Sequence, residues 1–339
     1  MKQNSKLVTR NPKQKGKLEK GKNNLLFVSS GFGFFSDFSK GAQLCIGFRR
    51  KSSRGGFRIS SLKTIFGATS IIILLFLNSN AFAYERIISL IPSATKSLYL
   101  LGLGDKVSAV TIYCPPEAKN KEKIGTVLDP DIEKIVTLKP DLVVASKEGN
   151  REATVVKLRK MGITVYVMDI TDNFDQICGG LLQLGAFLKK DKEAAKVITG
   201  CRQRIQKLSL KTKNVKPVNI FWEVSANPLF TAGKGSFAND YISFAGGRNI
   251  FAGINGRYPQ VSREEVVRLD PDAIVIVTMG DVTEKEIAAW MKFSTMKAVK
   301  SRSVYTVSET LFTDPTPVSV VESAEKLYAI LHGKNLSPH

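Results

Sequence analysis

The sequence predicts an α/β protein made of two similar lobes joined by a helical segment. Three observations carry this prediction. Short apolar strands alternate with helices in both halves of the chain, one block of sequence recurs in the two halves, and two consecutive helices separate them. Such alternation is typical of parallel α/β sheets. With 339 residues, 43% of them hydrophobic, the chain has enough apolar material to build sizeable cores.

Residues 84–172 are predicted to form the N-terminal lobe. The apolar run 86–91 is typical of a buried strand, and Pro92-Ser93 ends it and begins a helix that stops at the glycines of 102–104. The same signals predict helices at 131–138 and 151–161 and strands at 107–111, 142–145 and 164–168.

The pattern changes after Asp172, where two helices follow each other. Residues 173–213 are therefore assigned to a helical connector, with helices at 173–188 and 191–210. The alternation restarts at 217–222, and residues 214–339 are assigned to the C-terminal lobe. Its other predicted elements are a strand at 273–277 and helices at 237–245, 262–269, 282–291 and 317–332.

The two lobes also share sequence. Residues 133–144 align with residues 264–275 at an offset of 131, and both segments contain, in order, Glu, two β-branched residues, Leu, Pro-Asp and an apolar strand. A helix, Pro-Asp and a strand form a common α/β junction, so the repeat alone is moderate evidence for duplication. The helical connector between its two copies strengthens the prediction of two similar lobes.

The formal net charge of +20 first suggests a nucleic-acid-binding protein. However, residues 1–83 hold 15 basic and two acidic residues, a net charge of +13, which leaves +7 for residues 84–339. Residues 1–60 form an extra basic extension, predicted either to be disordered or to precede the true start of translation. Because an export signal follows directly, no nucleic-acid partner is expected.

Residues 61–83 are predicted to be a secretory signal peptide. Lys63, the apolar run 65–77 and the small residues of Ala81-Phe82-Ala83 supply its three parts. Cleavage between Ala83 and Tyr84 would release a periplasmic protein. An uncleaved membrane anchor is the alternative, although the run is short for a hydrocarbon core of about 30 Å.

Export would bring Cys114, Cys178 and Cys201 into an oxidising compartment, where disulfides persist. Three cysteines allow at most one intramolecular bridge. Cys178 and Cys201 lie on adjacent predicted helices and are the candidate pair.

Motifs in both lobes resemble those of the helical-backbone periplasmic binding proteins, which serve vitamin B12, iron-siderophore and haem importers. The resemblance covers about residues 85–332 and is closest to the vitamin B12-binding branch. The matching segments are Arg86-Ile87-Ile88-Ser89-Leu90, Pro92-Ser93-Ala94-Thr95, Leu101-Gly102-Leu103-Gly104-Asp105, Ile124-Gly125, Pro140-Asp141-Leu142-Val143, Asn227-Pro228-Leu229-Phe230-Thr231-Ala232-Gly233 and Tyr258-Pro259-Gln260-Val261-Ser262-Arg263-Glu264-Glu265.

The resemblance implies two α/β lobes joined by a long, rigid linker helix, here within 191–210, with a ligand cleft between the lobes. It implies a carrier that captures a metal chelate, with cobalamin or another corrinoid favoured over a ferric siderophore or haem. Aromatic and polar residues on loops at strand ends suit such a ligand. The residues expected to contact it are Tyr113, Lys147, Trp222, Glu223, Ser225, Tyr258 and Phe312.

The resemblance also implies a partner, an ABC permease dimer with its ATPase subunits. In the family, one surface glutamate on each lobe pairs with permease arginines, and carboxylate–guanidinium pairs give oriented docking. Glu152 and Glu264 match that pattern, although a Glu in a first helical turn also simply complements the helix dipole. The carrier is expected to be a monomer with no resident cofactor or protein-bound metal.

Two other classes of protein fit less well. An exported enzyme lacks support, because His332 and His339 are the chain's two histidines and no nucleophile, P-loop or dinucleotide motif stands in a suitable context. We therefore assign no catalytic residue. A carrier of bare zinc or manganese would usually place histidines in the cleft. Haem is harder to exclude, since a tyrosine such as Tyr113 or Tyr258 can ligate haem iron.

Overall fold

The computed structural model describes residues 84–278 and 283–333. The predicted extension 1–60, the signal peptide 61–83 and Ala83 lie outside the described residues, as does the end of the C-terminal lobe. Within the described ranges, no helix is both long and apolar enough to cross a membrane.

The N-terminal lobe contains a five-stranded, fully parallel sheet with the strand order β3-β2-β1-β4-β5. Its central strands are buried on both faces, which is why they are continuous apolar runs rather than alternating ones. The strands are β1 (Ile87–Ser89), β2 (Val107–Val110), β3 (Glu122–Lys123), β4 (Leu142–Ser146) and β5 (Val165–Met168). The helices are α1 (Pro92–Leu100), α2 (Ile132–Thr137) and α3 (Glu152–Lys160).

Two helices lie between the sheets along the chain, α4 (Phe174–Phe187) and α5 (Asp191–Thr212). The side chain of Asn173 caps α4 by accepting a hydrogen bond from the Gln176 amide. Helix α5 has 22 residues and a length of about 33 Å. It buries a single face, with Ala194, Ile198, Cys201 and Leu208, and packs against α4 and the last helix of the chain.

The C-terminal lobe contains a mixed sheet with the order β10-β9-β6-β7, and β8 pairs with β6 beside this path. Among the described strands, β10 with β9, β8 with β6 and β9 with β6 pair parallel, and β6 with β7 pairs antiparallel. The strands are β6 (Val218–Ala226), β7 (Leu229–Thr231), β8 (Gly247–Asn249), β9 (Ala273–Thr278) and β10 (Val304–Ser308). The helices are α6 (Ala238–Phe244), α7 (Arg263–Leu269), α8 (Thr283–Met291), α9 (Lys297–Lys300), α10 (Glu309–Phe312) and α11 (Pro317–His332).

The internal repeat predicted from the sequence is present in the geometry. Lys139 and Asp270 both end their helices with a positive φ, of 47° and 44°. The next aspartates, Asp141 and Asp272, both tie the Pro-Asp junction to the start of the lobe's first strand. Asp141 accepts a hydrogen bond from the Arg86 amide at 3.1 Å, and Asp272 accepts one from the Asn219 amide at 2.9 Å. The two lobes therefore use one local design twice.

A hydrophobic core runs through both lobes and the helical connector. It joins residues such as Ile87 and Leu142 in the first sheet, Leu181 in α4, Ile198 in α5 and Leu327 in α11. A second cluster fills the outer face of the C-terminal sheet, and a third fills the outer face of the N-terminal sheet. The connector thus shares buried surface with both sheets.

Candidate functional site

Loops at the carboxyl ends of the parallel strands meet loops of the other lobe, as is usual for ligand sites in α/β sheets. The loop after β4 is fixed by Asn150. Its Oδ1 accepts a hydrogen bond from the Ser146 amide at 2.9 Å, and its Nδ2 donates to the carbonyls of Leu90 at 3.2 Å and Val127 at 2.8 Å. This buried amide holds Glu148 at the edge of the cleft.

A loop of the C-terminal lobe, residues 254–260, lies against the turn after β7. The Gly233 amide donates to the Arg257 carbonyl at 2.9 Å, and the Thr231 amide donates to the Pro259 carbonyl at 3.1 Å. A Cβ at Gly233 would lie 2.5 Å from the Gly256 carbonyl oxygen, so this close approach requires glycine. The loop thereby presents Arg257 and Tyr258 towards the N-terminal lobe.

Arg257 makes contacts across the two lobes. Its Nη1 forms an ion pair with Glu148, and its Nη2 forms an ion pair with Asp172 and donates to the Thr171 carbonyl at 3.0 Å. We call this group the Arg257 clasp. Burial alone would lower the pKa of Arg257, but the Asp172 and Glu148 carboxylates outweigh that effect and raise it, so the guanidinium stays charged.

A cavity of about 220 Å³, which we call the first cavity, lies beside the clasp. Its polar lining consists of hydroxyl, amide and acidic groups. Its residues are Ser93, Ser97, Ser146, Glu148, Met168, Asp169, Ile170, Thr171, Gln176, Ile177, Gly179, Gly180, Leu181, Gln183, Pro315, Thr316 and Pro317. The charged side chains in this lining, Glu148 and Asp169, are both acidic.

A second cavity of about 390 Å³ contains Tyr113, a predicted ligand contact that is 61% exposed. Thr316, at the N-terminal cap of α11, borders both cavities. On the second cavity's wall, Lys96 of the N-terminal lobe pairs with Asp314 of the C-terminal lobe at 3.1 Å. Burial raises the pKa of Asp314, and Lys96 opposes this increase. Tyr113 is therefore placed where a ligand could stack on it.

The structure places Trp222 and Phe312 in the core instead of on the wall of either cavity. They are 2% and 3% exposed and pack on Tyr241, with ring centroids 5.2 Å and 5.3 Å from it. Alternate side chains of β6 face opposite sides of the sheet, and the side that Trp222 faces is covered by α6 and α11. Both aromatic residues are therefore buried away from the two cavities, and the prediction that they contact the ligand directly is wrong for the structure described.

Glu223 is also buried, at 1% exposure, which corrects its predicted place in the cleft. Its Oε2 accepts a hydrogen bond from Trp290 Nε1 at 2.6 Å, and its Oε1 has no partner in the described part of the chain. Burial first, and the neighbouring Glu286 carboxylate second, raise the pKa of Glu223 to about 8. Glu286 is ion-paired with Arg263, whose guanidinium lies 4.4 Å from the Trp290 ring centroid.

The other predicted ligand contacts lie closer to the cleft. Lys147 is exposed and pairs at 2.5 Å with Asp169, which lines the first cavity. Tyr258 is 41% exposed beside the clasp, and its pKa is raised by burial and by the Glu148 carboxylate. Ser225 is half-buried in β6 opposite Phe230 of β7.

The predicted disulfide is not formed in the structure, where Cys178 and Cys201 are free, buried thiols on the neighbouring helices α4 and α5. Burial raises the pKa of the Cys178 thiol to about 12. Because the thiolate is the form that exchanges or oxidises, this environment keeps Cys178 unreactive.

The two predicted docking glutamates, Glu152 and Glu264, are exposed in the first turns of α3 and α7. Ser262 begins α7 with a capping box. The repeat, however, makes Glu133 the equivalent of Glu264, because the two are 131 positions apart and Glu133 lies exposed in the first turn of α2. The signal for Glu133 was present in the aligned segments of the two lobes.

Arg257 and Asp172 are site residues that the sequence did not indicate. Each lies beside a predicted strand end or ligand loop, but their pairing joins positions 85 residues apart. Across the described residues there is no group of three or more His, Cys, Asp or Glu side chains arranged to hold a metal ion.

Comparison with known proteins agrees with this architecture. The model of the family described as periplasmic binding protein matches residues 87–311. The chain belongs to the periplasmic binding protein family. This membership confirms the resemblance identified from the sequence motifs, and it agrees with the two-lobed α/β fold. The family is described as one of periplasmic binding proteins.

Individual relatives point in the same direction. The vitamin B12-binding protein of Vibrio cholerae serotype O1 is 33% identical over 255 residues, which are 75% of this chain and 91% of the relative. The crystal structure of the periplasmic vitamin B12-binding protein of Vibrio cholerae matches with a TM-score of 0.62 and 33% identity, covering 73% of this chain and 96% of that one. A possible iron-binding, periplasmic solute-binding protein of Staphylococcus epidermidis matches with a TM-score of 0.65 and 26% identity over 74% and 99% of the two chains.

Proposed function

We propose that this protein is the extracytoplasmic substrate-binding component of an ABC importer and that it carries a metal chelate, with cobalamin or another corrinoid as the favoured ligand. The observation that carries this proposal is the match to vitamin B12-binding proteins over nearly their whole length. The two cavities at the junction of the lobes, bordered by Tyr113 and by the Arg257 clasp, are the place where such a ligand would enter.

A ferric chelate is the second candidate ligand. The likeness to a possible iron-binding protein at 26% identity supports it. Neither ligand requires a metal site made by protein side chains, since the organic chelator supplies the metal's ligands. The protein would bind the periphery of the chelate through aromatic faces and hydrogen bonds.

The ligand is tested by isothermal titration of the full chain with cyanocobalamin, haemin and a ferric siderophore. We expect stoichiometric binding of cyanocobalamin at micromolar protein concentration. Binding of the ferric siderophore alone would assign the second ligand class. A chain that binds none of the three, while remaining folded by circular dichroism, would overturn the proposal.

For export, we propose that residues 61–83 act as the signal and that Tyr84 begins the mature protein. The relatives are periplasmic binding proteins, which supports an extracytoplasmic location. Sequencing the N-terminus of protein recovered from the periplasm tests this, and a start upstream of residue 61 would contradict it.

We further propose that exposed glutamates in the first turns of helices dock the carrier, as a monomer, to a permease dimer. Two permease subunits related by a two-fold axis present the same groups to each lobe, so one exposed carboxylate on each lobe suffices for docking. Glu152 and Glu264 are the proposed docking pair, and Glu133, which the internal repeat makes equivalent to Glu264, is the alternative on the N-terminal lobe.

The docking proposal predicts that Glu152→Ala with Glu264→Ala abolishes most ligand-dependent transport while ligand affinity stays unchanged. Glu133→Ala with Glu264→Ala is the matched variant, and comparing the two double variants shows whether the sequence motif or the repeat identifies the docking residue on the N-terminal lobe. The measurements are uptake in cells and binding of the purified carrier to the permease complex. Loss of ligand affinity in either double variant would instead place these carboxylates in the ligand site.

A further inference from the structure

We propose that the Arg257 clasp and the acidic wall of the first cavity select a neutral chelate whose rim carries carboxamide groups, and reject chelates that carry carboxylates. This inference rests on the proposed function and names the chemical class of ligand for that site. It concerns Arg257, Glu148, Asp172 and the Thr171 carbonyl.

The Arg257 clasp lies where the two lobes meet, beside the first cavity. Glu148 follows β4 and Asp172 follows β5 of the N-terminal lobe, whereas Arg257 comes from the C-terminal lobe. Glu148 and Thr171 also line the first cavity, so two of the clasp's members face the space beside it. A chelate is larger than this 220 Å³ cavity, and in the proposed complex its rim replaces some of the contacts that Glu148 and Thr171 make in the clasp.

The clasp is negatively charged. Two carboxylates surround one guanidinium, so the clasp carries one excess negative charge. The wall adds Asp169, which the exposed Lys147 neutralises at 2.5 Å. Among the described residues that line the first cavity there is no Lys or Arg. The side of the cleft that Glu148 and Thr171 share with the clasp is therefore acidic.

The wall of the first cavity can both donate and accept hydrogen bonds. Glu148 needs a donor when Arg257 leaves it, and Arg257 needs an acceptor. A carboxamide supplies both, an NH₂ donor and a carbonyl acceptor, and the hydroxyls of Ser93, Ser146 and Thr316 accept or donate as required.

A carboxylate supplies acceptors alone. It would leave Glu148 without a donor and would lie close to a like charge in a partly desolvated space, which is how binding sites reject close competitors.

Calorimetric titration with two probes tests the proposal. Cyanocobalamin is the neutral, carboxamide-bearing probe, and haemin, with two carboxylates, is the anionic probe. We expect the full-length protein to bind cyanocobalamin at least tenfold more tightly than haemin at 0.1 M NaCl. The double variant Glu148→Gln with Asp172→Asn gives the clasp a net positive charge and should reduce that ratio at least tenfold, chiefly by strengthening haemin binding.

Two further variants complete the design. Arg257→Gln makes the clasp more negative and should weaken haemin binding further, so the two changes move haemin affinity in opposite directions. Asp175→Asn is the matched control, because Asp175 pairs with Arg202 at 2.8 Å on the exposed side of α4 and α5, and it should leave the ratio unchanged. Circular dichroism confirms that each variant is folded.

The outcomes separate the two proposals. A protein that binds neither probe nor a ferric siderophore overturns the proposed function. A protein that binds one of the probes, with an affinity ratio that neither charge variant changes, overturns the clasp's role in selection and leaves the proposed function standing.

Discussion

The buried carboxyl of Glu223 predicts a strong pH dependence of stability. Burial and the neighbouring Glu286 raise its pKa from the ordinary value of 4.5 to about 8. Between these two pH values the folded protein holds a proton that the unfolded chain releases. Unfolding then releases a proton, so the free energy of unfolding decreases as pH rises through this window and is constant above it.

The magnitude follows from the two pKa values. Each pH unit in the window changes the free energy of unfolding by about 1.4 kcal/mol, so the full decrease attributable to Glu223 is about 5 kcal/mol, taken as an upper value. That decrease is comparable to the whole stability of many domains, which is about 5–15 kcal/mol.

In the parent protein, Trp290 Nε1 donates to Glu223 Oε2 at 2.6 Å. Glu223→Gln removes the titrating group and keeps an oxygen that can accept this hydrogen bond. The amide NH₂ remains uncharged at every pH of the titration, so it carries no desolvation penalty for a buried charge. We expect the variant to match the parent protein near pH 4.5 and to be more stable than it by several kcal/mol at pH 8.5.

The assay is urea unfolding at intervals between pH 4.5 and 9, followed by circular dichroism. Glu284→Gln is the control, because Glu284 is exposed in the first turn of the same helix, α8, that carries Glu286. Unfolding free energies of the parent and Glu223→Gln that run parallel across the whole pH range would refute the reasoning.

Two further predictions concern the loops that shape the cleft. Asn150→Ala removes three hydrogen bonds that hold the loop after β4 and should lower the free energy of unfolding by about 2 kcal/mol or more, measured by urea unfolding; an unchanged midpoint would contradict this. Gly233→Ala places a Cβ 2.5 Å from the Gly256 carbonyl oxygen and should cost about 1–3 kcal/mol and weaken ligand binding, measured by calorimetry. Its control is Gly200→Ala in α5, where a Cβ meets nothing within 4 Å and a neutral or stabilising effect is expected; equal losses in both variants would argue against the clash.

Most of the secondary structure was predictable because its signals are local. The predicted helix at 317–332 coincides with α11, and those at 173–188 and 151–161 differ from α4 and α3 by one residue at each end. Capping residues and apolar spacing are contained within each segment, so neighbouring residues suffice. The short strands β3, β7 and β8 were missed because two or three residues carry no periodic pattern, and the five-residue strand β10 was missed as well.

The site was less predictable. Tyr113 and Tyr258 are exposed, and their contact with a ligand stays a prediction, whereas Trp222 and Phe312 are buried together with Tyr241. Sequence gives the residue types that follow a strand, yet it does not say whether a side chain at that strand's end faces the cleft or a covering helix.

The sequence by itself determined the two-lobed α/β architecture, the repeat at an offset of 131 and the place along the chain of the long helix α5, after the first sheet and before the second. The tertiary structure alone decided that Arg257 meets Glu148, 109 positions away, and that Glu223 lies against Trp290, 67 positions away. The physical reason is range. Propensity, capping and periodicity act over a few residues, whereas an ion pair or a buried carboxyl depends on how distant loops and helices pack, and packing also sets the burial that changes their charge.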